Sequence, residues 1–111
     1  SAEDCAIQIA NKIGAQCHTL HAPAILSSSR LAAALRDEPA IRKQLKRLEN
    51  LNAILTSVGD LTETTHVLSS GLIKRKHLDE IISNGGVGFL CGNFIKSNGD
   101  DLPSPLKDCM I

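Results

Sequence analysis

The sequence predicts an α/β fold of three layers, in which a mostly parallel sheet lies between two layers of helices. Short apolar segments that suit buried strands alternate along the chain with longer segments of helical periodicity. Strands separated by helices require crossover connections, and such connections join parallel neighbours. A hydrophobic fraction of 42% in a chain of 111 residues is sufficient for one packed domain.

The chain begins with a predicted amphipathic helix over residues 3–14, because apolar side chains recur there at positions i, i+3, i+4 and i+7. Gly14 provides a C-terminal stop for this helix. Residues 16–20 have the length and some of the alternation of a strand, and Pro23 prevents a helix from continuing beyond it. A helix followed by a short strand is therefore expected at the start of the chain.

Two further helices follow in close succession. The serines at 27–29 offer N-cap groups for a helix that runs through Leu35. Asp37 is the expected cap of the next helix, and Pro39 suits its first turn. The apolar face of this helix is formed by Ile41, Leu45 and Leu48, and its basic face by Arg42, Lys43, Lys46 and Arg47. Such a basic face is typical of solvated helices, although DNA or an acidic partner would also suit it.

The second half of the chain contains the remaining predicted elements. Residues 51–58 form a short apolar run with a β-branched end, which is typical of a buried strand. Residues 74–84 have helical periodicity and end before Gly85, a left-handed stop. Residues 87–92 are predicted to form the next strand, and the Asn-Gly pair at 98–99 predicts a turn after it.

Composition excludes several classes of function. A formal net charge of zero is unfavourable for non-specific nucleic-acid binding, and two Phe without Trp or Tyr cannot form a stacking platform. No apolar run has the length of a membrane span, and the first residues lack the pattern of a signal peptide. The four cysteines are scattered, so we expect reduced thiols in a cytoplasmic protein.

Two polar loops are the candidate binding elements. Ligands of open α/β sheets bind at the carboxyl ends of strands, where residues 21–29 and 59–65 are expected. The first loop leads into a helix N-terminus, whose backbone N–H groups favour a phosphate. The simpler alternative, in which serines cap the helix and threonines form turns, remains open. The candidate pocket residues are His21, Ser28, Gly59, Asp60 and Thr62.

Two other motifs carry less chemistry. In a dinucleotide-binding loop the glycines follow a strand and open a helix, whereas the glycines at 85–92 follow a helix and open a strand. Their order suits a helix stop and close backbone packing. Cys17 and His18 lack a second pair at the spacing of a zinc site, so neither a metal nor another cofactor is expected.

Three stretches together carry a resemblance to a known family. They read LHAPAILSSSRLAAALRDEPAI (20–41), LNAILTSVGDL (51–61) and ISNGGVGFLCGNFIKSNGD (82–100). In this order they resemble the effector-binding domain of SorC-type sugar-binding transcriptional regulators. The resemblance covers nearly all of residues 1–111, which would form the central part of such a domain.

The resemblance implies a fold like that of glucosamine-phosphate and ribose-phosphate isomerases, used for binding rather than catalysis. It also implies that a phosphorylated sugar is the effector and that DNA is bound only by a separate helix-turn-helix domain outside this chain. Family members are usually homo-oligomers. No enzymatic activity and no membrane partner are therefore expected.

The third stretch departs from the family pattern in its charged positions. Phe89 stands where the family pattern has an acid after G-V-G. Asn93 stands where the pattern has an arginine, and Lys96 where it has a second acid. Asn93 is carried over as a further effector-binding candidate. An acid accepts hydrogen bonds from sugar hydroxyls, and Phe89 cannot. Two alternatives to a sugar-sensing function therefore stay open. One is a sugar-phosphate isomerase-like enzyme with Asp60 and His21 as acid and base, and the other is a ligand-free oligomerisation module.

Overall fold

The structure, a computed structural model, describes residues 2–62, 66–69, 71 and 73–111. The helices and strands in these ranges follow one another along the chain as α1 (Ala2–Ile13), α2 (Ser29–Asp37), α3 (Pro39–Lys46), β1 (Val58–Gly59), α4 (His66–Ser69), α5 (Arg75–Ser83), β2 (Gly86–Leu90), β3 (Asn93–Lys96) and β4 (Asp101–Leu102). Two 3-10 turns, Arg47–Asn50 and Pro105–Cys109, complete the described elements. The mixed α/β class that the sequence predicts is confirmed.

Local signals place the helices where the sequence predicts them. Ser28 caps α2, because its Oγ accepts a hydrogen bond from the Leu31 amide at 3.2 Å. Pro39 lies in the first turn of α3, as expected. The cap prediction for Asp37 is wrong: Glu38 occupies the N-cap position of α3, and the Asp37 carboxylate forms an exposed ion pair with Arg42 at 3.4 Å.

The sheet has the order β1-β2-β3-β4, and each neighbouring pair is antiparallel. The prediction of a mostly parallel sheet is therefore wrong. Only Cys91 and Gly92 join β2 to β3, and a parallel connection needs a dozen or more residues. Both linking residues have positive φ, 48° at Cys91 and 83° at Gly92, which matches the twist of a tight hairpin.

Two predicted strands are absent from the described sheet. Residues 16–20 have no strand structure, and residues 51–57 have no regular structure either. Within the second segment Leu55 is 87% exposed, whereas a buried strand was expected. Pairing begins only at Val58 and Gly59, which lie opposite Leu90 and Phe89. A strand is buried where both faces of its sheet are covered, and among the described residues nothing covers residues 51–58, which are all exposed.

The hydrophobic core lies between α5 and the sheet and is centred on Phe94, which is fully buried in β3. The Phe89 ring packs against it, with ring centroids 5.0 Å apart and planes inclined by 55°. Partly buried Leu61 and Met110 extend the cluster. The other buried members are Val67, Ile73, Leu78, Ile81 and Leu106.

Residues 109–111 pair with residues 24–26. The Leu26 amide donates to the Cys109 carbonyl at 2.8 Å, and the Ile111 amide donates to the Ala24 carbonyl at 3.0 Å. The Arg36 guanidinium on α2 donates to the Met110 carbonyl. These bonds hold the segment after Pro23 against the end of the chain.

Three further features of the described residues concern cysteines, membrane spans and metal ligands. All four cysteines are free thiols. No described helix combines the length and the apolarity needed to cross a bilayer. Within the same ranges, no three His, Cys, Asp or Glu side chains are grouped as metal ligands.

Candidate functional site

A cavity of about 790 Å³ lies between residues 17–21 and helix α3, and we name it the α3 cavity. His21 is the sequence-predicted site residue that lines it. Ile111 also contributes to its wall. The remaining lining residues are Cys17, His18, Thr19, Leu20, Ala40, Lys43, Gln44, Leu45, Arg47, Leu48 and Leu51.

Gln44 holds the two walls of the α3 cavity together. Its Oε1 accepts a hydrogen bond from the His21 amide at 2.8 Å, and its Nε2 donates to the Thr19 carbonyl at 2.6 Å. Residues 19–21 form no strand, so their backbone groups have no ladder partners here. The Gln44 side chain takes the place of such a partner and fixes the loop on α3.

The α3 cavity carries positive charge. Lys43 in α3 and Arg47, the first residue of the 3-10 turn that continues α3, line it four residues apart, and residues at this spacing are neighbours on a helical surface. No Asp or Glu is among its lining residues. Within the described part of the chain neither cation has an ion-pair partner. The arrangement therefore favours an anionic group over a neutral one.

Ser28 lies at the start of α2, where its hydroxyl oxygen is used as the helix cap. The hydroxyl hydrogen can still donate to another oxygen, so capping and ligand contact are compatible. The neighbouring Ser27 lines a second cavity of about 450 Å³. Lys74, His77 and Cys109 are also among its lining residues.

Gly59, Asp60 and Thr62 lie together at the end of β1. The Asp60 carboxylate accepts hydrogen bonds from the Thr62 hydroxyl at 3.0 Å and from the Thr62 amide at 3.5 Å. Such a turn presents both exposed side chains on one short segment. The rest of the predicted loop, residues 63–65, lies outside the described residues.

Asn93 begins β3 opposite Leu90, and its Nδ2 donates to the Cys91 carbonyl at 3.3 Å. Val58 also pairs with Leu90, so Asn93 is two strands away from the start of β1. The next residue of β1, Gly59, pairs with Phe89, so β1 runs away from the end of the sheet at which Leu90 and Asn93 lie. Asp60, which follows Gly59, is therefore farther from Asn93 than Val58 is.

The structure consequently places the six candidate residues in four locations. Gly59, Asp60 and Thr62 are brought together, whereas His21, Ser28 and Asn93 each lie elsewhere. Sequence reasoning missed Gln44 and treated Lys43 and Arg47 as part of a solvated helix face. Their spacing on one helix face was visible in the sequence, but the loop opposite that face was not.

Comparison with known proteins shows the family to which the chain belongs. Residues 1–111 match the model of the Sugar-bind family, a family of sugar-binding domains. The chain belongs to this family. The resemblance to sugar-binding domains of transcriptional regulators, drawn from the sequence motifs, is thereby confirmed.

Individual relatives of this Sugar-bind chain are regulators. It is 33% identical over 92 residues to the Escherichia coli K12 transcriptional regulator YjhU, a match that spans 83% of the chain and 28% of YjhU. The sugar-binding domain of a transcriptional repressor from Vibrio fischeri superposes with a TM-score of 0.85 at 26% identity. A DeoR family regulator from Listeria monocytogenes shares the fold, with a TM-score of 0.86 at 15% identity.

The Sugar-bind chain is shorter than these relatives. It is covered completely by the Vibrio fischeri structure but spans 45% of it, and 99% of it matches 44% of the Listeria structure. The chain therefore spans less than half the length of the solved structures that it resembles.

Proposed function

We propose that this chain is the effector-sensing portion of a SorC-type bacterial transcriptional regulator and that its effector is a phosphorylated sugar. The observation that carries the proposal is the match of all 111 residues to a family of sugar-binding domains. The chain forms the central part of a three-layer effector domain. DNA is bound by a separate domain of a cytoplasmic homo-oligomer, and the sensing portion itself catalyses no reaction.

The chemistry of the candidate residues supports sugar recognition. The exposed Asp60 carboxylate can accept hydrogen bonds from sugar hydroxyls, and the adjacent Thr62 hydroxyl, which donates its hydrogen to Asp60, can accept a further one. Ser28, Asn93 and His21 lie at three other locations, and each is proposed as an effector contact in its own right. Gly59 is the sixth proposed effector-binding position. Phe89 occupies the position of a family acid and packs on Phe94, so the acceptors must come from these residues instead.

Sensing would operate by a shift of population. An effector changes a regulator only if it binds one conformation of the domain more tightly than another. The contacts between residues 24–26 and 109–111 connect the segment before Ser28 to the end of the chain. If ligand binding moves residues 24–26, residues 109–111 would therefore move with them.

A thermal-shift series tests the proposal. Phosphorylated sugars should raise the Tm, because an effector at 100 times its Kd adds about 2.7 kcal/mol of stability. The corresponding neutral sugars should produce smaller shifts. Asp60→Ala should reduce the response, whereas Glu49→Ala removes an exposed acid elsewhere and should leave it unchanged. No response to any sugar phosphate would contradict sensing, and turnover of a sugar phosphate would show an enzyme instead.

A further inference from the structure

We propose that the α3 cavity is a phosphoryl-binding site in which Lys43 and Arg47 hold the anion. Identifying the ligand as a sugar phosphate rests on the proposed function, whereas the anion site itself rests on the geometry of the cavity. The same chemistry fits inorganic phosphate and a phosphate monoester.

The first support is the placement of the two cations. Lys43 lines the cavity from α3 and Arg47 from the start of the 3-10 turn that follows it, four residues along the chain. The Arg47 guanidinium offers a planar pair of donors to phosphate oxygens, and Lys43 adds a compact charge. Neither is neutralised by an ion pair among the described residues.

The second support is the set of charged side chains that line the cavity. Lys43 and Arg47 are both cations, and no Asp or Glu side chain is among the described lining residues. The charged side chains of the wall therefore attract a negatively charged group.

The third support is the segment that faces the cations. His18 and His21 line the cavity on that side, and an imidazole ring carries at least one N–H donor. Leu48 and Leu51 also line the cavity and are 58% and 54% exposed, so water reaches the cations and the site is an open one.

The same helix supplies a matched control. Arg42 and Lys46 are also one Arg and one Lys at a spacing of four residues, but neither lines the α3 cavity. Arg42 instead pairs with Asp37 in an exposed position. Lys43→Gln/Arg47→Gln and Arg42→Gln/Lys46→Gln therefore remove the same charge from two neighbouring strips of one basic face, of which only the first lines the cavity. All four side chains are exposed, so both variants should fold, which circular dichroism would verify.

The test measures binding of inorganic phosphate, glucose 6-phosphate and glucose by calorimetry on the whole chain. Wild type and Arg42→Gln/Lys46→Gln should bind both phosphates with the same affinity. Lys43→Gln/Arg47→Gln should lose about tenfold or more in affinity for both, since two charge-assisted contacts are removed.

Each outcome has a distinct meaning. An equal loss in both double variants would overturn the site, because it would show a general charge effect. Glucose 6-phosphate binding that survives Lys43→Gln/Arg47→Gln would overturn the site and leave sugar sensing intact. Phosphate binding that depends on Lys43 and Arg47, with no preference for any sugar phosphate over inorganic phosphate, would support the site and contradict the proposed function.

Discussion

Gly86 at the start of β2 is pressed against the end of α5. A Cβ at this position would lie 2.9 Å from the Ile81 carbonyl oxygen and 2.6 Å from its Cγ2. The carbonyl oxygen belongs to the helix backbone and cannot move aside cheaply. Gly86→Ala should therefore lower the free energy of unfolding by about 1–3 kcal/mol, measured by urea denaturation.

Gly59 provides the comparison for this substitution. It also lies in a strand, but a Cβ there would meet Phe89 atoms only at 3.7 Å, an ordinary contact distance. Gly59→Ala should change stability by no more than about 0.5 kcal/mol. Equal losses at the two glycines would show that contact with α5 is not what excludes a side chain at Gly86.

The structural roles of Gly85 and Gly86 were predictable from the sequence. Gly85 has a φ of 96° after α5, as the predicted left-handed stop requires. Gly86 packs against the helix it follows, as predicted for close backbone approach. Both properties depend on the order of the glycines relative to the helix, and this order is local information.

At the scale of elements, Gln44 connects α3 to the loop at 19–21. Gln44→Glu would retain the acceptor for the His21 amide but would direct a carboxylate at the Thr19 carbonyl, which can only accept. We expect a loss of about 1–3 kcal/mol in the free energy of unfolding. Gln8→Glu on the exposed face of α1 is the control, and a loss of the same size there would refute a bridging role.

The N-terminus of α2 depends on one hydroxyl among three. Ser28→Ala should cost about 1 kcal/mol in unfolding free energy, because it removes the oxygen that accepts from the Leu31 amide. Ser29→Ala lies one residue inside the helix and should have a smaller effect. Chemical denaturation of both variants without ligand measures the cap separately from any contact with an effector.

Helices were more predictable from this sequence than strands. Caps, Pro39 and apolar periodicity act within a few residues, so α2, α3 and α5 were predicted near their actual bounds. Strand pairing depends on distant partners, and residues 51–57 were predicted as a strand from apolar character alone. Residues 91–92 were predicted to belong to a strand, whereas they form the two-residue link of the β2–β3 hairpin, and the alternation of helices and strands led to the parallel prediction.

For the whole molecule, residues 51–58 form a conspicuously apolar and exposed segment. Ile54 is 72% exposed and Leu55 is 87% exposed, so neither contributes to the core. Leu55→Lys should change the unfolding free energy by no more than about 0.5 kcal/mol. Leu78→Ala in the core should cost about 2–5 kcal/mol in the same assay. A comparable loss at Leu55 would mean that this segment is buried in solution.

The candidate site was less predictable than the family. Motifs at 20–41, 51–61 and 82–100 indicated the correct family, because each keeps its local pattern and their order is retained. The common rim expected for the loops at 21–29 and 59–65 depended on a parallel sheet. The described sheet is antiparallel, and His21 lines the α3 cavity without Asp60.

The bond from Arg36 to the Met110 carbonyl joins residues 74 positions apart. Closing a loop of this length costs conformational entropy before any contact is gained, so such pairings tend to form late in folding. The pairing of residues 24–26 with 109–111 spans an even longer part of the chain. Arg36→Gln should therefore accelerate unfolding and leave the refolding rate nearly unchanged in stopped-flow experiments. The contacts between the two halves of the chain would thus form last during folding and break first during unfolding.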